Sequence, residues 1–162
     1  MSAIAAGRVH EAPSIEARVR ELLATVHDPE IPAVSIVDLG LVERAEVTAA
    51  GRIEVELLPT FVGCPALELI RASVAEALAP LGRETSVEFT WRVPWTSDRI
   101  TAAGRTTLEA VGFAPPADPA EVRCPYCRSD RVVMDSAFGP TQCRSLFYCR
   151  ACRQPFEAFK PV

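Results

Sequence analysis

No apolar run in the 162 residues approaches the length of a bilayer span, and no basic-then-apolar leader of the secretory kind opens the chain. Membrane and secreted classes are therefore set aside, and the expectation is a cytoplasmic protein. Histidine is scarce, with only His10 and His27, so a thiol enzyme would have almost no choice of base. Neither a P-loop nor a G-x-G-x-x-G fingerprint occurs, and nucleotide-driven chemistry has no support. Six cysteines are too few for a disulfide scaffold of this length, whereas Cys-x-x-Cys pairs suit metal binding in a reducing compartment. No internal repeat is present.

Charge is uneven along the chain. Residues 1–120 hold 10 basic and 17 acidic side chains, a net of −7, and residues 121–162 hold 7 against 4, a net of +3. Four thiolates on one divalent zinc would add −2 to the tail, leaving little attraction for a phosphate backbone. The acidic larger part would repel one, so nucleic acid is not an expected partner.

What is present is organised around Thr60-Phe61-Val62-Gly63-Cys64-Pro65. Upstream, Ile53, Val55 and Leu57 alternate with charged residues, the period of a strand with one buried face. Downstream, Leu67, Ile70, Val74, Leu78 and Leu81 recur at helical spacing, and Pro65 suits the first helical position. Cys64 is thereby expected at or beside the helix N-cap, where the helix dipole favours thiolate and equips it as ligand or nucleophile. The competing reading is a small buried apolar residue, as most free cysteines are. From the residues alone both readings stay open.

In chain order, residues 1–13 form a loose arm. Ser14 is placed to cap a helix whose face is Ile15, Val19, Leu22, Leu23 and Val26, ending near His27 because Asp28 precedes Pro29. Asp28-Pro29-Glu30-Ile31-Pro32 makes a stiff loop with two carboxylates. Asp38-Leu39-Gly40 turns into a strand over residues 41–48, paired as a hairpin with 53–58. Val87, Phe89, Trp91 and Val93 alternate as a third strand, Trp95 plugs the core, and a last helix capped by Thr96 or Ser97 runs to Gly112. This order gives an α+β domain over residues 14–113, with helices on one mainly antiparallel sheet. A proline-rich linker, residues 114–120, then leads to a module at 121–162.

Cys124-Pro125-Tyr126-Cys127 and Cys149-Arg150-Ala151-Cys152 are two knuckles 21 residues apart, the spacing of a zinc ribbon with strands near 131–134 and 145–148. A module of about 40 residues buries too little to fold alone, so structural zinc must supply much of its stability. Cys143 is left over in Phe138-Gly139-Pro140-Thr141-Gln142-Cys143-Arg144. It is either a packed bystander or a second sulfur that joins Cys64 in a shared soft-ligand site.

Three further segments complete the pattern: Trp95-Thr96-Ser97-Asp98, Val122-Arg123-Cys124 and Pro155-Phe156-Glu157-Ala158-Phe159-Lys160. Together with the loops at Asp28 and Asp38, the Cys64 turn and the Cys143 turn, they resemble the PaaD family, small accessory proteins encoded with phenylacetyl-CoA epoxidase. Up to about residue 115 the chain also resembles the wider iron-sulfur maturation family that includes SufT. The resemblance implies a maturation-type fold and a reactive Cys64 with acidic neighbours Asp28 and Glu30, supported by Thr60 and Gly63 of the same motif. It also implies a part in aerobic phenylacetate degradation, where a di-iron oxygenase draws electrons from a flavin and [2Fe-2S] reductase. The implied task is helping that reductase obtain its cluster. Where relatives carry a further cysteine, this chain ends Lys160-Pro161-Val162.

The expectation is a non-catalytic maturation factor with Cys64, and Cys143 as a candidate beside it, holding iron or a cluster transiently. One thiol per chain needs completion by a partner, a second protomer in a homodimer, or Cys143. The alternative is a structural subunit that bridges oxygenase and reductase without metal traffic.

Overall fold

The computed structural model describes residues 13–61 and 63–162. All but the last residue of the expected arm, together with Val62, lies outside them. Helix α1 (Ile15–Leu23) is capped by Ser14, whose Oγ accepts from the Ala17 amide at 3.2 Å. It ends earlier than the proline rule suggests. Val26 and Asp28 are instead spent on backbone bonds to Ile36 and Val34, and His27 bridges Ser35, so the chain there is a short extended ladder.

Strands β1 (Val42–Val47) and β2 (Ile53–Leu57) form the expected hairpin, and α2 (Leu67–Leu78) crosses over to β3 (Thr85–Phe89). Because a helix intervenes, β3 pairs with β2 in parallel, which corrects the expectation of a mainly antiparallel sheet. The third strand is also shorter than its alternation suggested. Its partner turns away at Leu58 and Pro59, the last ladder bond is Thr90 N–H to Leu57 carbonyl, and Trp91 beyond it is 58% exposed. Hydrophobic alternation marked a strand that had no neighbour left to pair with.

Trp95 is buried as expected, donating its indole N–H to the Leu39 carbonyl at 2.9 Å. Helix α3 (Ala102–Ala110) is capped by Thr101, not by Thr96 or Ser97, which lie in a preceding 3-10 turn. Thr101 also donates through Oγ1 to Asp38, which holds the Asp38-Leu39-Gly40 turn against the helix start. Gly104 sits at that contact, with the Asp38 carbonyl oxygen 2.6 Å from where a Cβ would project.

The second sheet has the order β4-β7-β6-β5, with β4 (Phe113–Ala114), β5 (Val132–Ser136), β6 (Arg144–Cys149) and β7 (Pro155–Phe159). β7 was not foreseen, and β4 comes from the junction with the first domain. The segment expected as a spacer thus begins as an edge strand of the ribbon's sheet, with Ala114 and Pro116 buried. Phe147 and Phe156 stack at 5.7 Å in a small core with Val122, Cys124 and Cys149. At the opposite end, Cys143 and Phe159 enter the core of the first domain, where Phe159 meets Trp95 at 5.7 Å.

Gly104→Ala should destabilise the protein by about 1–3 kcal/mol despite alanine's better helix propensity, because the new methyl meets the Asp38 backbone. Denaturant unfolding checks it, and a gain in stability would contradict the packing.

Candidate functional site

The Thr60–Pro65 turn bends the chain from β2 into α2, and Gly63 makes it possible with φ +79°, in the left-handed region. Space around Gly63 is open. The helix starts later than its proline suggests: Ala66 is the N-cap, so Cys64 lies two residues before it and Pro65 is outside the helix. The Ala66 amide does favour a thiolate at Cys64. Burial outweighs it, and with Glu30, Cys143 and Asp28 adding unfavourable charge, the thiol is pushed above its ordinary range. This reverses the expected acidification.

Two other segments converge on that sulfur. Asp28 Oδ1 accepts from the Glu30 and Ile31 amides at 2.8 and 2.9 Å, which locks the Asp-Pro-Glu loop. From the ribbon comes the Gly139–Arg144 turn, closed by Gly139 N–H to Arg144 carbonyl and Arg144 N–H to Thr141 carbonyl. It carries Cys143, 9% exposed, with Sγ 3.1 Å from Thr141 Oγ1. Burial raises this thiol too, against the pull of Thr141 and the Arg144 charge.

Between them lies a cleft of about 290 Å³ whose wall includes Glu30, Thr60, Cys64, Phe138, Thr141 and Cys143. A second, much smaller pocket shares Glu30, Thr60 and both cysteines with it and is also lined by Asp28, Leu58 and Phe159. The structure therefore brings together every residue singled out around Cys64, with Gly63 as the hinge of its turn. His27 faces a different depression with Ser73 and Glu76, and among the described residues no histidine lines the cleft. Arg144 escaped the sequence reading. It is buried, places its guanidinium 5.0 Å over the Phe113 ring, and donates to Glu157 and to the Glu30 carbonyl. Its only sequence signal is adjacency to Cys143.

The metal centre of the ribbon is built differently. Cys124, Cys127, Cys149 and Cys152 place all four sulfurs within 4.8 Å of one another, the sole such group of three or more ligand residues among the described residues. Two sulfur pairs are each 3.6 Å apart. A zinc tetrahedron with Zn–S of about 2.3 Å has edges of about 3.8 Å, so these two spacings match it and the four donors suit the ion. Amides inside each knuckle point at the leading sulfur: those of Cys152 and Ala151 bring Cys149 down to about 7, whereas burial holds Cys124 above its ordinary range against the amides of Cys127 and Tyr126. Arg128 and Arg153 close the knuckles in the left-handed region at φ 62° and 60°, their own amides donating to the Cys124 and Cys149 carbonyls. Four thiolates leave no open position, so zinc there would tie strands together and supply no reaction.

Fold and cysteines together define an iron-sulfur-assembly type of domain carrying a zinc ribbon on its flank. Residues 16–89 match the family model of iron-sulfur cluster assembly proteins, and residues 110–160 match that of the PaaD zinc beta ribbon domain. An Escherichia coli K12 protein, provisionally named as one of the subunits of 1,2-phenylacetyl-CoA epoxidase, is 36% identical over 100% of this chain and 98% of its own. The chain belongs to the PaaD family. The iron-sulfur protein maturation auxiliary factors YitW of Bacillus subtilis and SufT of Staphylococcus aureus are 32% and 35% identical. They align with 59% and 51% of this chain and with 94% and 96% of their own lengths. Among solved structures, a DUF59 domain from Bacillus anthracis superposes with a TM-score of 0.53 at 28% identity, over 57% of this chain and 90% of that one. Thermotoga maritima TM0487 gives 0.50 at 26%, over 59% and 94%. No helix among the described residues is long and apolar enough to cross a membrane.

Two outcomes follow from this geometry. Alkylation of Cys64 should rise with pH through a midpoint above that of a free cysteine peptide, since burial and two carboxylates disfavour its thiolate; a midpoint below it would contradict the electrostatics. Stripping the ribbon metal with a chelator should loosen β6 and make Cys143 alkylate faster, as mass mapping would register. Unchanged protection of Cys143 would show that the turn holds without the ribbon metal.

Proposed function

We propose that this protein is an accessory maturation factor that helps assemble or deliver an iron-sulfur cluster for the phenylacetyl-CoA epoxidase system, with the reductase as client. Cys64 is the transient ligand for iron or cluster, and Cys143 is the second thiolate. The observation that carries this reading is the single cleft in which a thiol from the assembly domain and a thiol from the ribbon face the same space beside Glu30 and Thr60. Soft thiolates suit iron-sulfur chemistry, and a site of two thiolates leaves positions free for sulfide, a carrier or the client's own cysteines. Raised thiol pKa values favour a cleft that lets go: protons compete with the metal, so a client offering more acidic thiols draws it away. In this reading Asp28 braces the loop while Glu30 carries charge to the rim.

A second reading is a structural bridge between oxygenase and reductase. It is favoured by exposed aromatic surface, with Phe138 81% exposed at the rim of the cleft and Trp91 58% exposed beyond β3. Cys64→Ser separates the two. The maturation role predicts a normally folded variant and a reductase that accumulates in the cell severalfold poorer in [2Fe-2S] cluster, read from its visible absorption and iron content. A fully loaded reductase would remove that role and leave the bridge.

A further inference from the structure

Cys143 reaches the cleft from a different module than Cys64, so something must set the two modules in register, and apolar contact alone is slippery. Arg144, the next residue, meets three segments at once. Its Nη1 donates to Glu157 Oε2 on β7 at 2.9 Å, and its Nη2 donates to the Glu30 carbonyl at 2.8 Å, with Glu30 Oε2 3.9 Å away. The flat face of the guanidinium covers Phe113 on β4. Its side chain is 7% exposed.

A planar fork suits this task because its two ends can bond different partners in fixed directions, which an ammonium does not do. One bond goes to a backbone carbonyl of the Asp-Pro-Glu loop, so the clamp acts on the position of that loop and not on its charge alone. Its Nε is buried with no protein partner, so the two Nη bonds and the ring contact are what fix the side chain. Gly139 lets the turn close on it: a Cβ there would come within 2.9 Å of Arg144 Cβ. Since Cα atoms of successive residues are about 3.8 Å apart, pinning Arg144 leaves Cys143 little room to move.

We propose that Arg144 is the positioning residue of the two-cysteine cleft, docking the ribbon on the Glu30 loop so that Cys143 lines the same cleft as Cys64. This rests on the two-thiolate reading above. The arginine touches no cargo; it sets the spacing of the groups that do.

Phenylarsine oxide tests the spacing directly. Arsenic forms two As–S bonds, its oxygen leaves as water with the two thiol protons, and no electron is transferred. The zinc-loaded full chain should take up one equivalent bridging Cys64 and Cys143, located by peptide mapping with zinc retained. In Arg144→Gln the affinity should fall at least tenfold and Cys143 should alkylate faster, while zinc stays at one per chain. Arg144→Lys should recover only part of the loss. Unchanged uptake and unchanged Cys143 protection in a zinc-retaining Arg144→Gln protein overturn the proposal. If that variant loses zinc, Arg144→Lys and Glu157→Gln decide: wild-type uptake by both overturns it, and weakened uptake by either supports it. Failure of the wild-type protein to bridge the reagent sinks the shared-cysteine reading itself, whatever Arg144 does.

Discussion

The whole arrangement hangs on the seam where the ribbon meets the first domain. A four-cysteine ribbon is ordinarily a self-contained clip, and a small helix-on-sheet domain needs no lid. Here the last strand of one sends Phe159 into the core of the other against Trp95, and the turn before β6 delivers Cys143 to the same place. A buried arginine, paired within the ribbon to Glu157, reaches across the seam to the Glu30 carbonyl. The hydrogen bond to the Glu30 carbonyl is the one that crosses between the modules, and a bond from a charged donor contributes about 1.5–3 kcal/mol toward keeping them in one register. Without that seam Cys64 would open on solvent with no second thiol beside it.

β6 links the two metal-related features of the protein. It begins one residue after Cys143 and ends at Cys149, so one six-residue strand runs from the cleft to the ribbon's sulfur cluster. The knuckles organise four sulfurs around a point, whereas the cleft offers two thiols and nearby carboxylates with no complete coordination sphere. That contrast is chemical: the first suits permanent residence, the second suits something that arrives and leaves. Zinc in the ribbon would then have a purpose beyond holding its own strands, since it would also hold one wall of the cleft.

Much of this was legible in the sequence because it was written in local patterns. Ser14 announced its helix, the Ile53–Leu57 alternation its strand, and the Cys-x-x-Cys pairs their cluster. What failed depended on who the neighbour is. Trp91 has the right period for a strand, but periodicity does not say whether β2 extends far enough to pair with it. Pro65 fits a first helical turn, yet the bend at Gly63 delays the helix to Leu67 and moves Cys64 out of the cap. The sign of the Cys64 shift was missed for the same reason, because the carboxylates and the burying surface come from residues some 35 before it and 80 after it in the chain. Arg144 is the clearest case: seven basic residues lie in the tail, and nothing local marks which one is buried.

The central claim is that Cys64 and Cys143 form one ligand site within one chain. Its most direct measurement is anaerobic titration of the zinc-loaded protein with ferrous iron and sulfide, followed by thiolate-to-iron charge-transfer absorption in the wild type, Cys64→Ser, Cys143→Ser and the double variant. The account predicts a chromophore at one site per chain, lost to the same extent in either single variant and no further in the double. A chromophore that survives Cys143→Ser at full strength and disappears only with Cys64 would contradict it.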